Sequence, residues 1–316
     1  MPNALPEAAV TRFSNAVSGL VAPADRQSMG VCVSGGPDSV ALLLLARAAF
    51  PGVEAATVDH GLRPESAREA ADVARICGDL GLRHEALRLA DRPAGNLQDW
   101  ARKARYAALE HWADTRGRSV LLTAHHVDDQ LETLLMRLNR GSGVGGLAGI
   151  RARNGRVVRP LLGWRKAELE ALVRDAGVLA ADDPSNRDAR FDRARLRAVL
   201  STVDWIDADA ASRSAAALAE ADAALAWAAE ECAAVRVTDD AGGLGFDPAG
   251  VPAEIVRRVV ARCLTRIDTD AAPRGEALDR LISALWAGET ATLAGVKCWG
   301  GDLWHFAAAP PRVRRT

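Results

Sequence analysis

Two hydrophobic periods alternate over the first two hundred residues of the chain. Short apolar runs rich in β-branched residues, "MGVCVS", "EAATVDH", "LRHEALRL" and "RSVLLTAHH", read as strands. Between them, apolar positions at helical spacing predict helices over residues 38–49, 64–80, 96–115 and 128–139, with an opening helix over 8–20. "RVVRPLLG" is a further strand or extended segment, and "RKAELEALVRDAGV" a helix ending at Gly177. "ADDPSNRDARFDRARLR" is polar and irregular and leads into a short helix. Strands spaced by amphipathic helices predict an α/β fold, a parallel sheet with helices on both faces. Near Ser201 the pattern changes. Residues 203–235 form an Ala-rich helix that reads as a connecting rod, followed by "GGLGFD", a helix from Pro252 and another from Arg274. Two short strands flank Gly300-Gly301, a hairpin signal. The expected domains are therefore 1–200, the α/β part, and 201–316, a smaller and mainly helical part ending in a hairpin.

Composition narrows the class. The 316 residues are 49% hydrophobic and 26% charged, as in a globular protein. The apolar run 39–46 is too short to span a bilayer, so no membrane association is expected. "MPNALPEAAVTRF" lacks a basic segment followed by an apolar one, so no signal peptide is read. Five scattered cysteines without a C-x-x-C spacing argue for reduced thiols in a cytoplasm, with neither disulfides nor a zinc or cluster site. The net charge of −1 conceals an asymmetry: residues 151–200 carry twelve Arg/Lys against seven Asp/Glu, residues 204–240 carry two against nine, and "PPRVRRT" adds three arginines. Such a basic zone suits a polyanion, although solvated arginines give the same count. A homodimer stays open.

The candidate chemistry begins where "MGVCVS" turns through Ser34-Gly35-Gly36-Pro37-Asp38-Ser39 into an apolar helix. A strand–loop–helix junction of this kind suits a small polyanion, because the first helical amides lack intrahelical partners and the two glycines let the backbone curl. The usual phosphate loop supplies a lysine. Here Asp38 stands instead, either favouring the helix dipole or sharing a Mg²⁺ with the phosphates. His60 and Arg63 follow a strand end, where ligands bind in open α/β sheets, or they open a capped helix. Arg102 and Arg105, three apart on one helix, could meet one phosphate or simply face solvent. His125, His126, Asp128, Asp129 and Glu132 crowd another strand-to-helix junction. Capping accounts for part of that cluster; zinc or, beside a phosphate loop, Mg²⁺ accounts for more of it. Gly141, Gly143, Gly145, Gly146 and Gly149 then suggest a mobile loop. Arg159, Arg193, Arg195 and Arg197 are candidates for phosphate or RNA contact, and Asp183-Pro184-Ser185-Asn186 is a turn signal.

"SGGPDS", "DHGLRPES", "AHHVDDQLETLLMRLNRGSGVGGLAG", "RPLL" and "DDPSN", in this order and spacing, resemble the tRNA(Ile)-lysidine synthetases of the PP-loop (N-type) ATP pyrophosphatase superfamily. The likeness is close over 30–200 and loose beyond. It implies that ATP adenylates the wobble cytidine of a CAU-anticodon isoleucine tRNA, and that free L-lysine then displaces AMP to give lysidine, moving the codon read from AUG to AUA. It further implies that Ser34 to Ser39, with His60 and Arg63, bind ATP, and that Asp38 and Asp129 serve Mg²⁺. Glu132 would bind the lysine amine or support the metal. His125 would contact phosphate or the adenylated intermediate, Arg105, with Arg102 beside it, would balance phosphate charge, and Arg159, Arg193, Arg195 and Arg197 would bind the tRNA. One departure stands out: Ala194 occupies the asparagine position of the family's Arg-Asn-x-x-Arg pattern. A tRNA thiolase of the same superfamily is opposed by the missing C-x-x-C, and an amidotransferase-coupled synthetase by the lack of a glutaminase half. A non-catalytic nucleotide-binding module is opposed by the carboxylate cluster.

Overall fold

A computed structural model describes residues 3–59, 61, 65–89, 97–181, 192–240, 242–271, 273 and 275–310, the side chains of 65 and 97–99 excepted. The chain divides into two compact units, Met1–Ala219 and Glu220–Thr316.

The first unit opens with α1 (Glu7–Leu20) and a 3₁₀ turn (Pro23–Gln27). There follow β1 (Met29–Cys32), α2 (Pro37–Ala49), β2 (Glu54–Asp59), α3 (Glu65–Asp79), β3 (His84–Arg88), α4 (Leu97–Thr115), β4 (Val120–Leu122) and α5 (Val127–Leu138). The short elements α6 (Val144–Leu147), β5 (Arg153–Asn154) and β6 (Val157–Val158) precede α7 (Lys166–Asp175), α8 (Asp192–Leu200) and α9 (Ala208–Arg236). The division between the units falls inside α9.

The strands form one sheet in the order β3-β2-β1-β4-β6-β5. All neighbours run parallel except the β5–β6 hairpin at one edge. The chain builds outward from β1 to β3 and then crosses to β4 on the other side, so the strand order reverses between β1 and β4. In an open parallel sheet the crevice beyond the C-terminal ends of such strands is where ligands bind. Helix α2 packs on α1 and α7 and is apolar all round, with Ser39 to Ala46 all buried, as a helix enclosed on several sides must be.

The elements follow the sequence pattern with shorter strands. β4 keeps three residues of "RSVLLTAHH", and beyond it Thr123, Ala124 and His125 line the crevice. α9 starts at Ala208 rather than at 203, where Asp207 Oδ1 accepts from Asp209 N at 2.8 Å and caps the helix. The glycine-rich stretch after α5 is held rather than mobile. Gln130 Nε2 donates to Ile150 O at 3.2 Å, Ile150 N donates to Gln130 Oε1 at 2.6 Å, and Arg137 Nη1 donates to Gly146 O at 2.6 Å.

The second unit is less helical than its sequence pattern suggests. After α9 come β7 (Val237–Asp240), β8 (Gly243–Phe246), α10 (Ala253–Ile267), α11 (Glu276–Trp286), β9 (Thr290–Leu293), β10 (Val296–Trp299) and β11 (Trp304–Ala308). The hairpin around Gly300-Gly301 forms, with Trp299 opposite His305, but it is part of a five-stranded antiparallel sheet in the order β7-β8-β11-β10-β9. Gly243 belongs to that sheet because a Cβ there would collide with the carbonyl of Phe306. Trp304, Phe246 and Phe306 centre this unit's own core. Among the described residues no helix is long and apolar enough to cross a membrane.

Candidate active site

The loop after β1 is fixed by one hydroxyl. Ser39 Oγ accepts from Ser34 N and Gly35 N, both at 3.1 Å, and donates to Gly36 O at 2.9 Å. Gly35 has φ +92°, and a Cβ there would also stand 3.3 Å from Val73 Cγ2, so the turn needs glycine. Ala181 N donates to Gly35 O at 2.9 Å and holds the loop from outside. Pro37 begins α2 without an N–H to lose. The loop is thus shaped before any anion arrives, with the first turn of α2 on the wall of a cavity of about 800 Å³.

The junction between β4 and α5 supplies the opposite wall. Its two aspartates do cap helices, but two different ones. Asp129 Oδ2 accepts from His126 N at 3.2 Å and caps α5, while Asp128 Oδ2 accepts from Lys166 N at 2.7 Å and caps α7. The N-terminal turns of α2, α5 and α7 therefore meet at one cavity. His126, 2% exposed, stands between their carboxylates: Nε2 is 3.5 Å from both Asp38 Oδ2 and Asp129 Oδ2, and Nδ1 is 3.4 Å from Asp128 Oδ2. Burial pulls its pKa down, but the carboxylates of Asp128, Asp38 and Asp129 outweigh this and raise it to about 10. Burial alone would raise Asp128; His126, the Lys166 amide and Arg165 instead bring it down to about 2. His125 faces the cavity and differs from its neighbour. Burial lowers it to about 4, opposed by Asp129 and reinforced by Arg159, Arg105 and Arg193, so it is neutral at pH 7.

Asp38 Oδ1 is buried and has no hydrogen-bond partner among the described residues. An orphaned carboxylate oxygen next to a second carboxylate, Asp129, is the hard oxygen donor pair that Mg²⁺ takes together with phosphate oxygens, so the residues fit that ion.

The arginines divide. Arg105, Arg193 and Arg197 line the cavity. Arg197 Nε donates to Glu132 Oε1 at 2.5 Å, and its Nη2 donates to Asp129 Oδ1 at 3.4 Å. Arg193 Nε lies 3.2 Å from Glu132 Oε2, and its Nη2 donates to Thr133 Oγ1 at 3.0 Å. Glu132 thus faces two guanidiniums rather than an open amine site. Arg102 is not on the wall: its guanidinium carbon lies 5.5 Å from the ring centroid of Tyr106, one turn along α4, and of the two arginines of this helix face Arg105 lines the cavity. Arg159 is only 7% exposed and donates Nη1 to Arg151 O at 2.8 Å, so its charge acts on His125 instead of offering a surface to RNA. Arg195 is exposed, pairs with Asp192 and does not reach the cavity. Ala194 lines the wall where the resemblance expected asparagine. His60, Arg63, the Asp183-Pro184-Ser185-Asn186 turn and the arginines of the C-terminal tail lie outside the described residues.

Four residues have parts that the sequence reading did not give them. His126 sits in the cluster, yet two successive residues in extended backbone point to opposite sides, so only one of the histidine pair can face the ligand. Lys166 and Glu170 reach the wall from α7 at helical spacing. Ser39 acts on the loop that precedes it.

A family model described as a PP-loop domain matches residues 9–203. Over 311 residues the chain is 40% identical to the tRNA(Ile)-lysidine synthase of Zymomonas mobilis, spanning 96% of this chain and 94% of that protein. The chain belongs to the tRNA(Ile)-lysidine synthase family. The synthase of Novosphingobium aromaticivorans is 46% identical over 292 residues, 89% of this chain and 88% of that one. As a member of the lysidine synthase family with a PP-loop domain, the chain is a ligase-type, ATP-binding enzyme of tRNA modification. Among solved structures, the U34-tRNA thiolase NcsA from Methanococcus maripaludis, determined with its [4Fe-4S] cluster, superposes with a TM-score of 0.55 at 15% identity. That match covers 68% of this chain and 80% of the thiolase, and it speaks for the fold. On the lysidine synthase cavity wall the one described cysteine is Cys32, whose thiol burial pushes up to about 12.

Proposed function

We propose that this chain joins lysine to the wobble cytidine of a CAU-anticodon isoleucine tRNA through an adenylated tRNA, so that the tRNA reads AUA rather than AUG. The observation that carries the reading is the phosphate loop closed by Ser39, set against the Asp38–His126–Asp129 cluster at the sheet's switch point in a chain of this family. A kinase needs its loop lysine on the group being transferred. An enzyme that discards pyrophosphate needs the β and γ phosphates gripped and the α-phosphorus left open.

In the first step cytidine O2 attacks the α-phosphorus. The O2–P bond forms, the bond to the β-phosphate oxygen breaks, and pyrophosphate leaves. The α2 amides hold the departing phosphates. Asp38 and Asp129 would hold Mg²⁺, which would supply neutralisation of phosphate charge. Arg105 balances charge on the pentacoordinate phosphorus. In the second step the lysine amine attacks C2, the C2–O2 bond breaks, AMP departs with the oxygen, and the amine loses a proton to solvent. His125, uncharged at pH 7, offers the adenylate a hydrogen bond without adding charge. The cytoplasm, with its tRNA and ATP, is the setting we assign.

The test is incubation of the chain with ATP, lysine and CAU-anticodon isoleucine tRNA, followed by nucleoside mass analysis. Lysidine in place of cytidine is the expected result, with tRNA-dependent pyrophosphate release persisting for one turnover when lysine is omitted. Neither lysidine nor tRNA-dependent pyrophosphate would refute the reading.

A further inference from the structure

We infer that Glu132 is a positioning residue: its buried carboxylate docks α8 and holds Arg193 and Arg197 over the cavity to receive phosphate, and it does not itself bind the lysine substrate. The inference rests on the proposed reaction only for the identity of the phosphates.

Helix α8, "DRARLRAVL", has nine residues and no buried side chain. A helix that short is unstable alone, and most helices are held by an apolar face that α8 lacks. Its attachments are few. Leu200, at its end, packs beside Val127, Leu131 and Ala208. Near its start, Asp192 lies 3.7 Å from Arg140, but both side chains are more than half exposed and such a pair contributes little. The middle of the helix is held from α5. Asp129, Glu132 and Thr133 share one face of α5 at i, i+3 and i+4, and Arg193 and Arg197 share one face of α8 at i and i+4. Both arginines meet this acidic face: Arg197 on Glu132 and Asp129, Arg193 on Glu132 and Thr133.

Glu132 is 3% exposed. A carboxylate that deep is costly without paired cations, and the two guanidiniums supply them. Each oxygen faces a different arginine, at 2.5 and 3.2 Å. An incoming ammonium would have to displace a guanidinium from its pairing with this buried carboxylate and stand beside the other. Arg197 is shared with Asp129 as well, so two carboxylates of α5 hold the two guanidiniums at the cavity edge. Each guanidinium carries five N–H donors, and both line the cavity, so donors remain for an anion beside the pairing with Glu132.

The test uses the full chain and four variants: Glu132→Gln, Glu132→Ala, Arg193→Ala/Arg197→Ala, and the triple Glu132→Ala/Arg193→Ala/Arg197→Ala. Affinity for ATP alone and for tRNA alone is measured, which separates the two sources of phosphate, together with the lysine KM. Expected is a loss of about 10-fold or more in ATP or tRNA affinity for Glu132→Ala, with lysine KM unchanged. The triple variant should be no weaker than the arginine pair, the non-additivity of residues acting through one another. Glu132→Gln, which keeps the shape and one acceptor, should recover part of the loss and guards against a folding defect. Hydrogen exchange should quicken in residues 192–200 of Glu132→Ala while the α5 amides stay protected. A raised lysine KM with ATP and tRNA affinities intact would overturn the inference, as would full additivity. Failure here leaves lysidine formation by the unaltered chain in place, whereas failure of the proposed reaction abolishes it while the ATP arm of the cycle can still be read.

Discussion

Three carboxylates converge on the imidazole of His126, and its protonation is therefore tied to the folded state. Its folded pKa of about 10 lies above the ordinary 6.5, so the stabilisation is complete below about 6.5 and lost as pH rises through 10. Asp128 has the opposite sign: held near 2 against an ordinary 3.8, it stabilises above 3.8, and that share is lost as pH falls through 2. The melting temperature of the unaltered chain should thus decline between pH 6.5 and 10 at fixed ionic strength. In His126→Gln the decline should vanish, and the variant should be less stable at pH 6.5 by about 1–3 kcal/mol. Parallel curves for the two proteins would show that the imidazolium contributes nothing. Asp38 shares His126 with two other carboxylates through Oδ2, while its Oδ1 bonds to nothing described and is open to the proposed metal. Asp38→Asn should therefore keep the fold and slow pyrophosphate release on the order of 10²-fold or more. Turnover at the unaltered rate would remove Asp38 from the metal site.

At the scale of elements, the phosphate loop is a stapled turn, and its staple can be removed. Ser39→Ala takes away the acceptor shared by Ser34 N and Gly35 N and should weaken ATP binding about 10-fold, with a stability loss of about 1–2 kcal/mol, read by equilibrium binding and denaturant titration. Unchanged ATP affinity would mean that the glycines alone shape the loop. The loop and α2 were legible in the sequence because the bonds that shape the turn run between Ser34 and Ser39 and the helix is apolar from Val40 to Ala46. The other long helices of the first unit were legible too, since their period repeats over several turns. The β5 strand, two residues long, has no period to read, and β7 and β8 were hidden because β7 continues directly from the Ala-rich α9 and β8 carries two glycines. The pairing of Glu132 with Arg193 and Arg197 was not legible, because more than sixty residues separate the partners and nothing in either segment signals the other. Arg159 shows the reverse error: a basic residue in a basic stretch looks like surface, yet it is enclosed.

Across the whole molecule, charge is distributed rather than abundant: a net −1 contains a segment, 151–200, where Arg and Lys exceed Asp and Glu by twelve to seven. Of that segment's predicted RNA contacts, Arg193 and Arg197 border the cavity. Affinity for tRNA should fall steeply with salt, and Arg193→Ala or Arg197→Ala should each lower the slope by roughly one phosphate equivalent. Binding that ignores salt would exclude these contacts. The meeting of α2, α5 and α7 at their N-terminal turns has a further result, which concerns departure rather than arrival. The N-terminal turns of these three helices border one cavity, and in the proposed reaction a cleaved pyrophosphate would carry more charge there than the same atoms did within ATP. Its escape, not bond-making, should then limit the steady-state rate. Added pyrophosphate should compete with ATP, and inorganic pyrophosphatase should raise multiple-turnover velocity while leaving the first turnover unchanged.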